Sequence, residues 1–276
     1  MVGLERAFDL AGKVAVVTGG SGVLCGALAR ALGAQGAAVV VVAHSRLERA
    51  QAVAEEIVAD GGRALALEAD VLRRDSLHAL ADRVLAAYGR VDILVNGAGG
   101  AKKEATTSAE ISFFDLPEEA VRWVMDLNFL GTFFPCQVFG RQMVAQGSGA
   151  ILNIASMGAV RPLTRSVAYS AGKASVVNFT QWLAVHMGQE YSPNIRVNAL
   201  VPGFFLTEQN RFLLYDQETG ALTERGQRII DHTPMARLGQ PEDLVAPALL
   251  LLSDAATFVH GATLVVDGGL GAYGGI

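Results

Sequence analysis

Cysteine is almost absent: only Cys25 and Cys136 occur in 276 residues. Their spacing matches no zinc site, and two thiols cannot make a disulfide framework, so a reducing compartment is expected. Long apolar runs are missing too. The longest, APALLLL at 246–252, falls far short of the roughly 20 residues that cross a bilayer. The opening MVGLERAFDLAGK carries charges and no apolar stretch, unlike a secretory signal. A basic excess is also lacking. Lys and Arg total 22 against 27 Asp and Glu, a formal net charge of -5, which argues against a nucleic-acid surface. Proline is sparse, at 8 residues, and forms no linker. The expectation is one soluble domain spanning 1–276, most simply cytoplasmic, acting on a small molecule, without nucleic acid, membrane or metal.

What is present in quantity is apolar residues, 51% of the chain, and 31 glycines. Short Val/Ile/Leu-rich runs at 13–19, 38–43, 64–69, 91–98, 149–156, 195–201 and 262–267 read as strands buried on both faces. Helical periods lie between them, around 24–35, 45–60, 75–88, 117–146, 166–190 and 241–252. This alternation predicts an α/β fold: a doubly wound, Rossmann-type parallel sheet of about seven strands with helices on both faces. Only 203–240 lacks a clear strand, and its length suits a lid or substrate loop.

The first strand runs into TGGSGVLCG, with glycines at 19, 22 and 26 opening a helix. Glycine lets backbone approach a pyrophosphate, and a helix N-terminus offers free N–H groups and a favourable dipole. The second strand ends in Ala43-His44-Ser45-Arg46. A carboxylate that would take a ribose 2′-hydroxyl is missing there. Ser45 and Arg46 could instead hold a 2′-phosphate, which favours NADP, with NAD the alternative.

Tyr169 and Lys173 lie four residues apart, on one face of a predicted helix, and Ser156 precedes the tyrosine by thirteen. A phenol has a reference pKa of about 10, and a fixed ammonium beside it favours the phenolate. Such a pair can act as a general acid/base near neutral pH. Ser156 could hold the substrate oxygen. An isolated Tyr-x-x-x-Lys occurs in many helices; its companions give it meaning.

Those companions stand in order: TGGSG, Asp70-Val71, NGAG at 96–99, Asn128, Ser156, Tyr169-x-x-x-Lys173 and Pro202-Gly203. In this order they resemble the short-chain dehydrogenase/reductase family, from about Leu10 to the end of the chain. The resemblance implies that Thr18, Gly19, Ser21 and Gly22 line the phosphate turn and that Asp70 and Val71 flank the adenine. Asn96, Gly97, Ala98 and Gly99 would shape the cofactor floor, and Pro202, Gly203 and Thr207 would contact the nicotinamide side. Tyr169 would be the acid/base, with Ser156 orienting the substrate oxygen. Lys173 would lower the phenol pKa and bind the nicotinamide ribose. Asn128 would hold a water that links Lys173 to solvent. The family's second and third turn glycines would fall at Val23 and Cys25, where this chain departs from the pattern. The family also implies a homotetramer, with 117–146 and 166–190 pairing across one interface and the C-terminal GGLGAYGGI near another.

Four longer runs, DLNFLGTFFPCQVFG, NFTQWLAVHM, PGFFLTEQNRFLL and HTPMARLGQPEDL, resemble the D-mannonate oxidoreductases (fructuronate reductases) of that family. A hexuronic acid needs a cation for its carboxylate. Lys102, Arg161, Arg165, Arg211 and Arg225 are candidates. Gln209, Asn210 and Arg211 are favoured because they follow Thr207 directly. Ala101-Lys102-Lys103 departs from the Asn-His common at this point in the subgroup. His186 reads as a packed helical residue. Two other readings fit the motifs: a reductase of carrier-bound 3-oxoacyl groups, and a non-catalytic dinucleotide sensor.

Overall fold

Seven of the apolar runs form seven parallel strands in this computed structural model, which describes residues 7–207, 211 and 214–275. They are β1 (Val14–Thr18), β2 (Ala38–Ala43), β3 (Arg63–Glu68), β4 (Ile93–Asn96), β5 (Gly149–Ile154), β6 (Ile195–Pro202) and β7 (Thr263–Val266), in the order β3-β2-β1-β4-β5-β6-β7. The helices are α1 (Val23–Ala34), α2 (Leu47–Ala59), α3 (Arg74–Tyr88), α4 (Glu118–Gln146), the single turn α5 (Met157–Val160), α6 (Val167–Glu190), α7 (Glu224–Asp231) and α8 (Val245–Leu252).

Alternate residues of each strand feed opposite cores. Ala15, Val17, Val39 and Val41 pack under α1, α2 and α8. Val14, Val16, Val40 and Leu94 pack under α3, α4 and α6. Burying a Val or Leu side chain contributes about 1.5–3 kcal/mol, and both faces are covered, so apolar residues dominate the strands. No helix among the described residues is long and apolar enough to cross a membrane.

Several strands are shorter than the apolar runs that predict them. The run at 91–98, for example, pairs only over Ile93–Asn96, because Gly97 and its successors leave the ladder to form the site. Position 203–240 holds a helix the sequence pattern did not show. Thr223 accepts a hydrogen bond from Gly226 N at 3.0 Å to cap α7, and Glu224 and Arg228 pair along it. Two isolated bridges, Phe205 with Gly239 and Tyr215 with Leu222, tie the segment together.

Candidate active site

Chain order reverses between β1 and β4, so their C-terminal ends frame a crevice of the kind that receives ligands in open α/β sheets. The two loops there touch at backbone distance. Gly19 has φ +65, and a Cβ on it would lie 2.7 Å from the Gly97 oxygen. A Cβ on Gly97 would lie 2.0 Å from Cys25 Sγ. Cys25 thus fills space beneath the crevice, which explains how the turn works without a glycine there. Thr18 is fully buried. Its hydroxyl accepts hydrogen bonds from Gly97 N and Ala98 N at 3.1 and 3.3 Å. The residue therefore braces the two loops rather than lining the phosphate turn.

Helix α1 begins at Val23, with extended Gly22 as its N-cap and no side chain capping its first turn. Its leading N–H groups suit an anion, and the turn before them is tight: Gly22 N donates to Gly19 O at 3.0 Å, and a Cβ on Gly22 would lie 3.2 Å from that oxygen. The residues present therefore fit a dinucleotide pyrophosphate. At the other end of this half-site, Ser45 and Arg46 are exposed just beyond β2. His44 Nε2 stands 3.9 Å from Asp70 Oδ2. The sequence reading did not assign His44 to the site, although it directly follows the last residue of β2. Asp70 is fixed by Leu72 N to its Oδ1 and by its own N to Ser76 Oγ, both at 2.9 Å. Val71 is buried and packs toward Gly131 of α4.

Asn96 departs from its expected place on the cofactor floor. Its Nδ2 donates to Asn153 Oδ1 at 2.8 Å and to Cys136 Sγ at 3.1 Å, and Asn153 Nδ2 donates to Thr180 Oγ1 at 2.9 Å. This is a buried polar chain joining β4, β5 and α6. The backbone that follows Asn96 leaves the sheet at Gly97, which abuts Gly19. Gly203 likewise has a structural reason: its missing Cβ would lie 2.7 Å from Asp267 Cα, and its N donates to Val266 O at 2.9 Å.

The catalytic candidates converge at the ends of β4 and β5. Ser156 leaves β5 and caps the turn α5, accepting from Gly158 N at 3.2 Å. Tyr169 and Lys173 occupy one face of α6. The Lys173 ammonium donates to Ile154 O at 2.7 Å and is 96% buried. Asn128 is fully buried in α4. Its Nδ2 donates to Gly100 O at 2.7 Å and Val124 O at 2.8 Å, and its Oδ1 accepts from Gly100 N at 3.3 Å. A Cβ on Gly99 would meet Asn128 Oδ1 at 2.9 Å and Lys173 Nζ at 3.0 Å. The glycine therefore lets the amide and the ammonium share one spot beside the crevice.

Burial dominates the electrostatics of the site. Burial raises the Tyr169 phenol above its ordinary value, and its side-chain hydrogen bond with Ser156 opposes this. Lys173 is pushed down to about 8, again by burial, with Cys25 opposing. The Lys173 ammonium is meanwhile held by the Ile154 carbonyl. Cys25 is raised to about 11 by burial, against the pull of Lys173, so it is an inert thiol rather than a nucleophile.

The remaining candidates are scattered. Thr207 and Arg211 are joined by a 3.0 Å hydrogen bond from Arg211 N to Thr207 O, and the Arg211 guanidinium lies 5.7 Å from the Tyr215 ring centre. Gln209 and Asn210 lie outside the described residues. Lys102 Nζ sits 4.2 Å from the Trp123 ring centre. His186 stacks on Trp182 with ring centres 4.7 Å apart, away from the site as expected. His232 binds Arg228 O through Nδ1 at 2.7 Å, at the end of α7.

Known proteins share this frame. The family described as enoyl-(acyl carrier protein) reductase matches residues 22–271. An uncharacterized oxidoreductase, UxuB of Bacillus subtilis (strain 168), is 47% identical over 277 residues, covering 97% of this chain and 98% of that protein. A solved structure of a candidate D-mannonate oxidoreductase from Haemophilus influenzae, with bound NAD, superposes with TM-score 0.92 at 39% identity, covering 99% of this chain and all of that one. A gluconate 5-dehydrogenase from Burkholderia cenocepacia J2315, in complex with NADP and tartrate, gives TM-score 0.85 at 31% identity, covering 97% and 98%.

Proposed function

The chain belongs to the short-chain dehydrogenase/reductase family and is an NAD(P)-dependent oxidoreductase acting on CH–OH groups; within that class we propose that it interconverts a secondary alcohol and a ketone on a sugar acid, with D-mannonate and D-fructuronate as the pair. The observation that carries the chemistry is the convergence of half-buried Ser156 and Tyr169 with buried Lys173 beside a glycine-lined crevice. The likeness to a candidate D-mannonate oxidoreductase and to a gluconate 5-dehydrogenase supports the substrate class.

The nicotinamide, when bound, supplies or accepts the hydride. The chain's own residues handle the proton and the orientation. Ser156 holds the substrate oxygen, and Tyr169 gives or takes the proton at that atom. Burial alone pushes both Tyr169 and Lys173 toward their neutral forms. A lone phenolate is costly in this pocket, and so is a lone ammonium. An ammonium beside the phenol would favour the phenolate, which is the role proposed for Lys173. Asn128 holds Gly100 and the neighbouring Gly99 against Lys173, and the expected water would link this cluster to solvent. Concentrations and pH set the direction of the reaction.

Ser45 and Arg46 support NADP, since both stand exposed just beyond β2 and the chain offers no carboxylate after that strand until Glu48. NAD is the second reading, favoured by the Haemophilus relative with NAD bound. An Arg46→Ala variant separates them. The NADP reading expects about tenfold weaker NADPH binding with NADH unchanged; tighter NADH than NADPH binding in the unmodified protein rules it out. Segment 203–240 would close over the substrate, with Thr207 at its root. The active form would be a homotetramer joined through α4 and α6.

Incubating the enzyme with hexonates or hexuronates and either nicotinamide, while following absorbance of the reduced cofactor, tests the substrate class. Turnover of D-mannonate or D-fructuronate is expected. Turnover of a 3-oxoacyl thioester without any sugar acid would reverse the assignment.

A further inference from the structure

A sugar acid carries a carboxylate that Ser156 and Tyr169 cannot bind, because both are committed to the reacting oxygen. Five cations were candidates for it. Arg161, Arg165 and Arg225 are exposed. Arg211 is exposed, its guanidinium lying over the Tyr215 ring.

Lys102 differs from the four arginines in its burial, and its surroundings leave it available. It is half-buried, its ammonium is seated over the Trp123 ring, and no carboxylate pairs with it among the described residues. A cation over an indole face keeps its donors available on the outer side, because the ring attracts its charge without accepting its hydrogen bonds along one direction.

The loop that carries Lys102 is fixed at both ends to the catalytic machinery. Gly100 is clasped by the Asn128 amide at 2.7 and 3.3 Å. Thr107 N donates to Arg165 O at 3.0 Å, just ahead of α6. Between these points Thr106 Oγ1 donates to Lys102 O at 3.0 Å, and Ala105 enters an apolar cluster with Val124, Ala168 and Tyr169 itself. Lys102 lies three positions after Gly99, which abuts Lys173, at most about 10 Å of chain. A lysine stem can close part of that gap.

We infer that Lys102, seated over Trp123 at the rim of the cleft, is the anchor for the substrate's carboxylate. This rests on the sugar-acid reading above and names the residue that would separate acids from neutral polyols. Trp123 stores the ammonium when the site is empty and presents it when an acid arrives.

The test uses the full-length enzyme with saturating reduced cofactor and D-gluconate as probe, with neutral D-glucitol beside it. In a Trp182→Phe background Trp123 is the sole indole, since the chain has 2 tryptophans. A saturable change in its emission with gluconate, absent with glucitol and lost in Lys102→Gln, is expected. Lys102→Arg should restore it. In turnover, Lys102→Gln should raise KM for an oxidised hexonate about 10- to 100-fold with kcat nearly unchanged, the range of one charge-assisted hydrogen bond. Equal losses for acid and polyol, or an emission change that survives Lys102→Gln, would overturn the anchor. If gluconate shifts the emission through Lys102 but no sugar acid is turned over, the anchor stands and the proposed reaction falls. If hexonates turn over and Lys102→Gln leaves their KM unchanged, the reverse holds.

Discussion

At the residue scale, the Tyr-x-x-x-Lys spacing and the upstream serine were legible because helical periodicity alone puts them together. Their electrostatics were not. The partner that turns Lys173 is the Ile154 carbonyl, and a backbone oxygen leaves no mark in sequence. The same applies to Asn96, whose side chain is spent on Asn153 and Cys136, residues brought near only by the sheet register. The burial of Lys173 has a measurable consequence. Its pKa falls from 10.5 to about 8 on folding, so between these values the unfolded chain binds more protons than the folded one, and stability from this group rises with pH. Below pH 8 the desolvation cost of the ammonium is fully present. Denaturant unfolding without cofactor, compared between the natural protein and Lys173→Met, should therefore show the difference moving in favour of the natural protein from pH 8 to pH 10, by at most about 1.4 kcal/mol per pH unit. A difference that is flat across this window would mean that Lys173 folds in with its ordinary proton affinity.

At the scale of elements, alternating strands and helices predicted the sheet and all the main helices, since both follow from side-chain periodicity. Helix α7 escaped because ERGQRIID is short and polar and depends on its Thr223 cap. The phosphate turn was legible as a glycine cluster, but the sequence could not show why Cys25 is tolerated. The space over Gly97, which decides this, belongs to a loop about seventy positions on in the chain. Gly19 offers the sharpest check of the turn. Gly19→Ala combines positive φ with a Cβ 2.7 Å from a backbone oxygen. It should cost on the order of 2–4 kcal/mol of stability and weaken dinucleotide binding at least tenfold. Gly61→Ala is the control: its φ is +86, but nothing lies within 4 Å of the added Cβ. It should cost about 1 kcal/mol and leave binding intact. Thermal denaturation and calorimetric titration with NADH and NADPH read both effects. Equal behaviour of the two variants would mean that contact between the β1 and β4 loops does not shape the site.

For the molecule as a whole, a ladder of rings runs outward from the core between α4 and α6: half-buried Phe133 and buried Phe179, then Trp182 and His186, with Tyr191 beyond the helix. Trp182 is 55% exposed and Tyr191 54%, a costly arrangement for a free surface. If this face joins subunits, Trp182→Arg should sediment as a smaller species than the natural protein, with its cofactor site still able to bind. An unchanged sedimentation coefficient would place the interface elsewhere. The central claim concerns the proton relay that this framework holds in place, and one comparison tests it. Single-turnover and steady-state oxidation of D-mannonate are followed by the absorbance of the reduced nicotinamide in the natural enzyme and in Tyr169→Phe. The account predicts that the variant keeps its cofactor affinity and loses turnover by about 10²–10⁴-fold, the range for a general acid/base. Turnover preserved in Tyr169→Phe, with cofactor bound as before, would contradict it.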